Sequence, residues 1–237
     1  MYALLLTAAA TAGTIGNPGR TTETGVIGAQ AAFAISAQTL DLENDPSCEE
    51  NCAAIARVSG SGARISLRPI DALGLWGEAT WATDVLEGAD HSAKGPMFAG
   101  GGSLTLQRHG VKPALAARGQ YLSTSSTVND EGYSSDNKSL SIEGAAFAVF
   151  GDDSGGGNLW LGPIATVFST HDIAIYGDEG ERLSYAPRIP VGAVIGGEML
   201  SVPLGRYLRP HSPRMSAGLE ARLIDSWGAS GWIGVAY

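Results

Sequence analysis

Apolar and polar residues alternate along most of this chain with a two-residue rhythm. Each rhythmic stretch ends in a cluster of Gly, Asp, Asn or Ser before the next begins. Such alternation predicts β-strands with one apolar and one polar face, because successive side chains on a strand point to opposite sides. Residues 25–39 show it first, with Ile27, Ala29, Ala31, Phe33, Ile35 and Ala37 on one parity and Gln30, Ser36 and Gln38 on the other. Stretch 53–68 sets Ala63, Ile65 and Leu67 against Arg64, Ser66 and Arg68, and 73–84 sets Leu75, Ala79 and Trp81 against Glu78, Thr80 and Asp84. In 97–107, Leu104 and Leu106 oppose Ser103 and Gln107; in 111–123, Val111, Leu115, Ala117 and Tyr121 oppose Arg118 and Gln120. Stretch 138–150 sets Leu140, Ile142 and Ala146 against Ser141 and Glu143 until both faces turn apolar at Phe147. Stretch 159–169 is ambiguous, since Trp160, Ile164 and Phe168 face Leu159, Leu161 and Val167. Stretches 189–201 (Val191, Ala193, Ile195 against Gly196, Glu198) and 214–225 (Leu219, Leu223 against Arg214, Glu220, Arg222) follow, and 229–237 completes ten.

The connections sort the readings. They alternate long (40–52, 85–96, 124–137, 170–188) and short (69–72, 108–110, a glycine-rich turn at 151–158), less cleanly at 202–213 and 226–228. Long loops on one rim and short turns on the other predict an up-and-down antiparallel transmembrane β-barrel of about ten strands, with eight or twelve as alternatives. Strands of this length also suit a tilted crossing of the hydrocarbon layer, which takes about 9–11 residues, whereas strands of soluble proteins run about 5–6. A soluble β-sandwich is the competing fold.

Composition agrees. Only 16% of the residues are charged, against roughly 25% in a soluble domain, and no apolar run downstream of the first residues is long enough for a membrane helix. A net charge of −9 argues against nucleic acid as a partner. Residues 1–12, ending in Ala10-Thr11-Ala12, read as a candidate signal peptide or apolar lead-in without a positive n-region; residues 24–237 read as one barrel domain. Cys48 and Cys52 suggest a small disulfide-closed loop in an oxidising compartment, with free thiols or a metal site as the other readings.

With these features the chain resembles the small Gram-negative outer-membrane barrels of the OmpA-like or opacity-protein type over roughly residues 24–237. Ile233, Val235 and Tyr237 look like that class's C-terminal assembly signal, with Tyr where Phe is usual. The resemblance implies outer-membrane localisation, extracellular loops, periplasmic termini, outer-membrane lipid and lipopolysaccharide as surroundings, and the barrel-assembly machinery as a partner during biogenesis. It implies no cofactor and says nothing about activity.

Charge orients the barrel. Asp41, Glu43, Asp45, Glu49, Glu50, Asp84, Glu87, Asp90, Asp130, Glu131, Asp136, Asp172, Asp178, Glu179 and Glu181 lie in or beside the expected long loops, whereas Arg108, Lys112, Arg206 and Arg209 mark the short turns. The acidic rim is a solvated surface, or one that gathers divalent cations toward lipopolysaccharide phosphates. If the apolar parity faces lipid, Arg64, Arg68, Glu78, Arg118, Glu143, Glu198, Arg214, Glu220 and Arg222 point inward. A mixed-sign set in a narrow lumen predicts pairing rather than an ion-selective ring, so a salt-bridge plug is expected, with a narrow or gated pore or a ligand or catalytic site as alternatives. Arg57 has the lipid-facing parity and is expected above the membrane. Trp81, Tyr121 and Tyr237 are candidates for interfacial belts. His91, His109, His171 and His211 all fall in expected loops or turns. His171-Asp172 with Asp84 is the one candidate acid–base site, at the rim. The stretch 151–157 lacks the lysine of a phosphate loop, and no metal site is expected. Envelope-structural or surface-binding work without catalysis is the expected role.

Overall fold

Hydrogen-bonded strands built from these alternating stretches close into a cylinder. A computed structural model describes residues 28–44, 53–70, 72–86, 92–106, 111–127, 134–151, 157–176, 181–187, 191–200, 214–224 and 227–236. The strands are β1 (Gly28–Asn44), β2 (Ala53–Ile70), β3 (Leu73–Leu86), β4 (Ser92–Thr105), β5 (Lys112–Ser125), β6 (Ser134–Gly151), β7 (Gly157–Tyr176), β8 (Glu181–Pro187), β9 (Val191–Leu200), β10 (Arg214–Leu223) and β11 (Trp227–Ala236). All pair antiparallel, and β11 returns to β1 from Gln30↔Ala236 to Thr39↔Trp227, which removes the sheet edge. The fold is a closed ten-stranded up-and-down barrel.

Eleven strand segments make a ten-stranded wall because β8 and β9 are two parts of one descending strand. Both keep one register against β7, with His171↔Tyr185 above and Ala165↔Val191 below. On its other side β9 pairs with β10, whereas β8 pairs with β1 through Leu42↔Pro187, Glu43↔Ala186 and Asn44↔Tyr185. The β10–β11 hairpin is thus a wedge between β9 and β1, and above its tip β8 and β1 zip together. The barrel has ten strands near the end where β1 begins and β11 finishes and eight in a collar at the other end.

This corrects the expected loops. Much of 40–52, 85–96, 124–137 and 170–188 is strand, so Asp41, Glu43, Asp136, His171, Asp172 and Glu181 stand on strands rather than in loops. Lys112 likewise opens β5 instead of sitting in a turn. The physical reason is that an antiparallel ladder continues as long as backbone partners are available. Strands of 14 to 20 residues from β2 to β7 exceed a membrane crossing, and the surplus forms the collar, where outward positions turn polar. β9 ends and β10 begins at the same end of the barrel as the start of β1, so strand overhang at the other end distinguishes the two rims.

The two faces are sorted as the rhythm predicts. Leu67, Leu75, Phe98, Leu115, Tyr121, Leu140, Leu161, Ile195, Leu219 and Ile233 are exposed on the outside, and side chains of the other parity are buried within. A β-bulge between Ile142 and Glu143 leaves Val167 as the extra residue on β7, pairing Ile142 with Phe168 and Glu143 with Thr166. This bulge resolves the ambiguous stretch. Below it Trp160 and Ile164 face in; above it the parity changes, so Val167 and Phe168 both lie outside and His171 and Ile173 face in.

A wall without an edge resists detergent until thermally unfolded. The folded chain is therefore expected to run at a different apparent mass on an SDS gel before and after boiling; identical migration in both states would contradict the closed barrel.

Candidate functional site in the lumen

Because inward positions come from every strand, the lumen is where the sequence places its chemistry. Arg64, Arg68, Glu78, Arg118, Glu143, Glu198, Glu220 and Arg222 are all buried there. The side chain of Arg214 lies outside the described ones, as do Cys48, Cys52 and Tyr237 and the residues His91, His109 and His211. Of the expected assembly signal, Ile233 is exposed on the outer face and Val235 is half-buried.

Glu143 on β6 is the hub. Arg118 Nη2, on the adjacent β5, stands 3.0 Å from its Oε2, and Arg222 on β10 donates Nη1 to the same oxygen. Strands β6 and β10 are separated by β7 and β9 along the wall, so the Arg222 contact crosses the lumen. Glu220 on β10 accepts a hydrogen bond from Trp160 Nε1 on β7 at 3.2 Å. Arg64 lies in the electrostatic field of Glu78, Glu220 and Glu198. Multiple charge-assisted contacts are how a low-dielectric interior tolerates ions.

Three tryptophans, which the sequence reading did not assign to the lumen, share this layer. Arg64 is held between two of them, its Cζ 4.6 Å from the Trp76 ring centroid and 5.0 Å from that of Trp232. Trp232 in turn stacks on Trp160, with centroids 6.3 Å apart and planes inclined by 23°. Each indole lies over a glycine directly opposite in the ladder: Trp76 over Gly101, Trp160 over Gly196, Trp232 over Gly218. A β-carbon at Gly196 or Gly218 would collide with the ring, so glycine there is a packing requirement. Parity was the available signal, since Trp76 shares its side of the strand with Glu78, and Trp232 opposes Ile233.

Above this layer Val58, Ala82, Met97 and Leu122 form an apolar cluster on the β2–β5 side of the interior, and the collar holds a second polar cluster. His171 Nε2 on β7 lies 3.5 Å from Asp84 Oδ2 on β3, and Asn137 Nδ2 on β6 donates to the same oxygen at 3.0 Å. In an eight-stranded ring β3 and β7 are diametrically opposed, so this contact spans the collar. Burial pushes the Asp84 carboxyl above the ordinary carboxylate range, with His171 and Asn137 pulling the other way. His171 and Asp84 are each 1% exposed, so the pair sits inside the barrel rather than on an open rim. Asp172 faces outward and accepts the Ser184 hydroxyl at 2.6 Å. The expected His171–Asp172–Asp84 group is therefore split across the wall: a residue and its neighbour on a strand cannot share a face. Among the described residues no cluster of metal-ligating side chains occurs.

No family model matches the chain, and no curated protein matches its sequence. In structure it is similar to the translocator domain of the autotransporter NalP from Neisseria meningitidis, with a TM-score of 0.50 and 12% identity over 91% of this chain and 89% of that one. The transport unit of the autotransporter AIDA-I from Escherichia coli gives 0.47 and 12% over 91% of both chains. The outer membrane protease OmpT from Escherichia coli gives 0.40 and 8% over 94% of this chain and 99% of that one. At such identities the first likeness shows the barrel fold and nothing finer. The expected OmpA-like or opacity class is not singled out; the first two neighbours are autotransporter barrels.

Glu143→Gln leaves Arg118 and Arg222 without their shared carboxylate. Removing one partner of a buried ion pair costs about 3–5 kcal/mol, so the urea midpoint of the detergent-folded barrel is expected to fall clearly. Gly196→Leu, forced against Trp160, is expected to cost about 1–3 kcal/mol by overpacking in the same assay. An unchanged midpoint in either variant would contradict the packing described.

Proposed function

We propose that the chain is an integral outer-membrane barrel with an envelope-structural or surface-binding role, its lumen occupied by the Arg/Glu network rather than by a water-filled path. The observation that carries this reading is Glu143, which binds Arg118 on its own side of the wall and Arg222 across the lumen. Three features support it together. The outside is an apolar band that suits lipid. The inside is charged but of mixed sign, and the collar narrows to eight strands, a number whose interior side chains just fill. In this reading the termini face the periplasm and the collar faces outward, as the surplus strand length at that end suggests.

A rim-enzyme reading is favoured by one observation, the Asp84–His171 contact. Its weakness is access, since both side chains are enclosed. If it holds, His171→Ala abolishes a hydrolytic activity of the reconstituted barrel; under the favoured reading that variant leaves the membrane protein's phenotype unchanged.

Planar-bilayer recording separates the plug from a narrow channel. The purified wild-type barrel is expected to insert without steady conductance. Discrete, long-lived current steps carried by the wild type would overturn the plugged lumen and favour a channel for small solutes.

A further inference from the structure

The outward face of the wall changes character over a short height. Phe98 on β4 and Tyr121 on β5 are cross-strand partners, Trp81 on β3 stands two residues above the partner of Phe98, and all three rings are exposed. Higher up, outward positions on alternate strands carry cations: Arg57 on β2, Lys94 on β4 and Lys138 on β6, each exposed.

Register fixes the relative heights of the three. Rows of paired residues climb in chain order: a row leaving β1 at Ala29, near its lower end, passes Leu75 and Ala117 and reaches Val191 at the upper end of β9. With the tilt of roughly 40° usual in such barrels, a row gains about 3 Å per strand and each residue about 2.5 Å. Arg57 pairs with Val85 and Lys94 with Thr83, two residues lower on β3. Lys94 also pairs with Ser125, and Lys138 with Ser123, two residues lower on β5. Each advance of two strands therefore gains about 6 Å and gives back about 5 Å. The cations stand level to within about 3 Å, with neighbouring Cα atoms about 12 Å apart. On the same scale the aromatic rings lie about 8 Å below them. Asp172, the cross-strand partner of Lys138, and Asp136 lie about 3–5 Å above. Ser123 and Ser125 occupy the outward positions between the two lysines, and Thr83 one between Lys94 and Arg57.

Residues that merely shared a ladder row would lie on a spiral. A level set on a tilted wall requires the stepped register seen here, and what is level around a membrane barrel is the plane of the lipid. From this geometry we infer that Arg57, Lys94 and Lys138 form a binding site for the phosphate groups of a phosphorylated outer-leaflet glycolipid, the lipopolysaccharide class. The site rests on the outer-membrane reading above. Aromatic rings mark the boundary of the hydrocarbon layer, and basic side chains just beyond it attract anionic headgroups at short range. Asp172 and Asp136 set the upper limit of the row at its Lys138 end.

The test compares the wild type with the triple variant Arg57→Gln, Lys94→Gln, Lys138→Gln, both folded in neutral detergent and checked by gel shift on boiling. Binding of fluorescent lipopolysaccharide is read by anisotropy, with dephosphorylated lipopolysaccharide and inorganic phosphate as competitors. The triple variant is expected to fold and to bind at least roughly 10-fold more weakly, since each cation near an anionic surface contributes appreciably. Dephosphorylated lipid is expected to compete poorly and inorganic phosphate hardly at all. Equal binding by both proteins, or equal competition by the dephosphorylated lipid, would overturn the site while leaving the barrel intact. Full competition by inorganic phosphate would also overturn it, by making the ligand a free ion. A wild type that shows no gel shift would instead remove the membrane reading on which the site rests.

Discussion

Closure of the β-sheet is the constraint from which the rest follows. Once β11 pairs with β1, no edge remains, every strand contributes side chains to both faces, and the two-residue period assigns each residue to lipid or to lumen. The inside of a cylinder this narrow must then be filled by whatever the inward parity supplies. Here it supplies arginines, glutamates and three tryptophans. They neutralise one another around Glu143 and Arg64, because a charge left alone in that volume would be too costly to keep.

The collar applies the same constraint at a smaller circumference. By pairing with β1 above the β10–β11 hairpin, β8 removes two strands from the ring and draws β3 and β7 within reach across it. Asp84, His171 and Asn137 meet in the narrower interior, and an apolar cluster of Val58, Ala82, Met97 and Leu122 lines the β2–β5 side of the wall. Packing, electrostatics and topology thus place paired polar groups at two heights of the interior.

Much of this was legible in the sequence, because period-two alternation survives wherever one face meets lipid and the other meets polar groups. The lipid-facing rows and the inward parity of Arg64, Glu78, Arg118, Glu143, Glu198, Glu220 and Arg222 could be read directly. The collar could not. Above the apolar band both faces are polar, so alternation fades and Asp136, Asp172 and His171 resemble loop residues. The extra residue at Val167 also reverses the parity of β7, which placed His171 on the wrong side of any simple count. The tryptophan–glycine pairs stayed hidden for another reason: they depend on which residues lie opposite each other, and register is a property of two strands rather than one. The level cations escaped for the same reason.

The central claim is that one parity meets lipid and the other a filled interior, and spin labels walked along β5 from Ala114 to Leu122 in reconstituted barrels test it most directly. Collision with oxygen reports lipid, and collision with a water-soluble nickel chelate reports aqueous space. The account predicts high oxygen collision at Leu115, Ala117, Gly119 and Tyr121, and low collision with both reagents at the intervening positions. Nickel collision at Ala116, Arg118 and Gln120, or the loss of alternation, would contradict it.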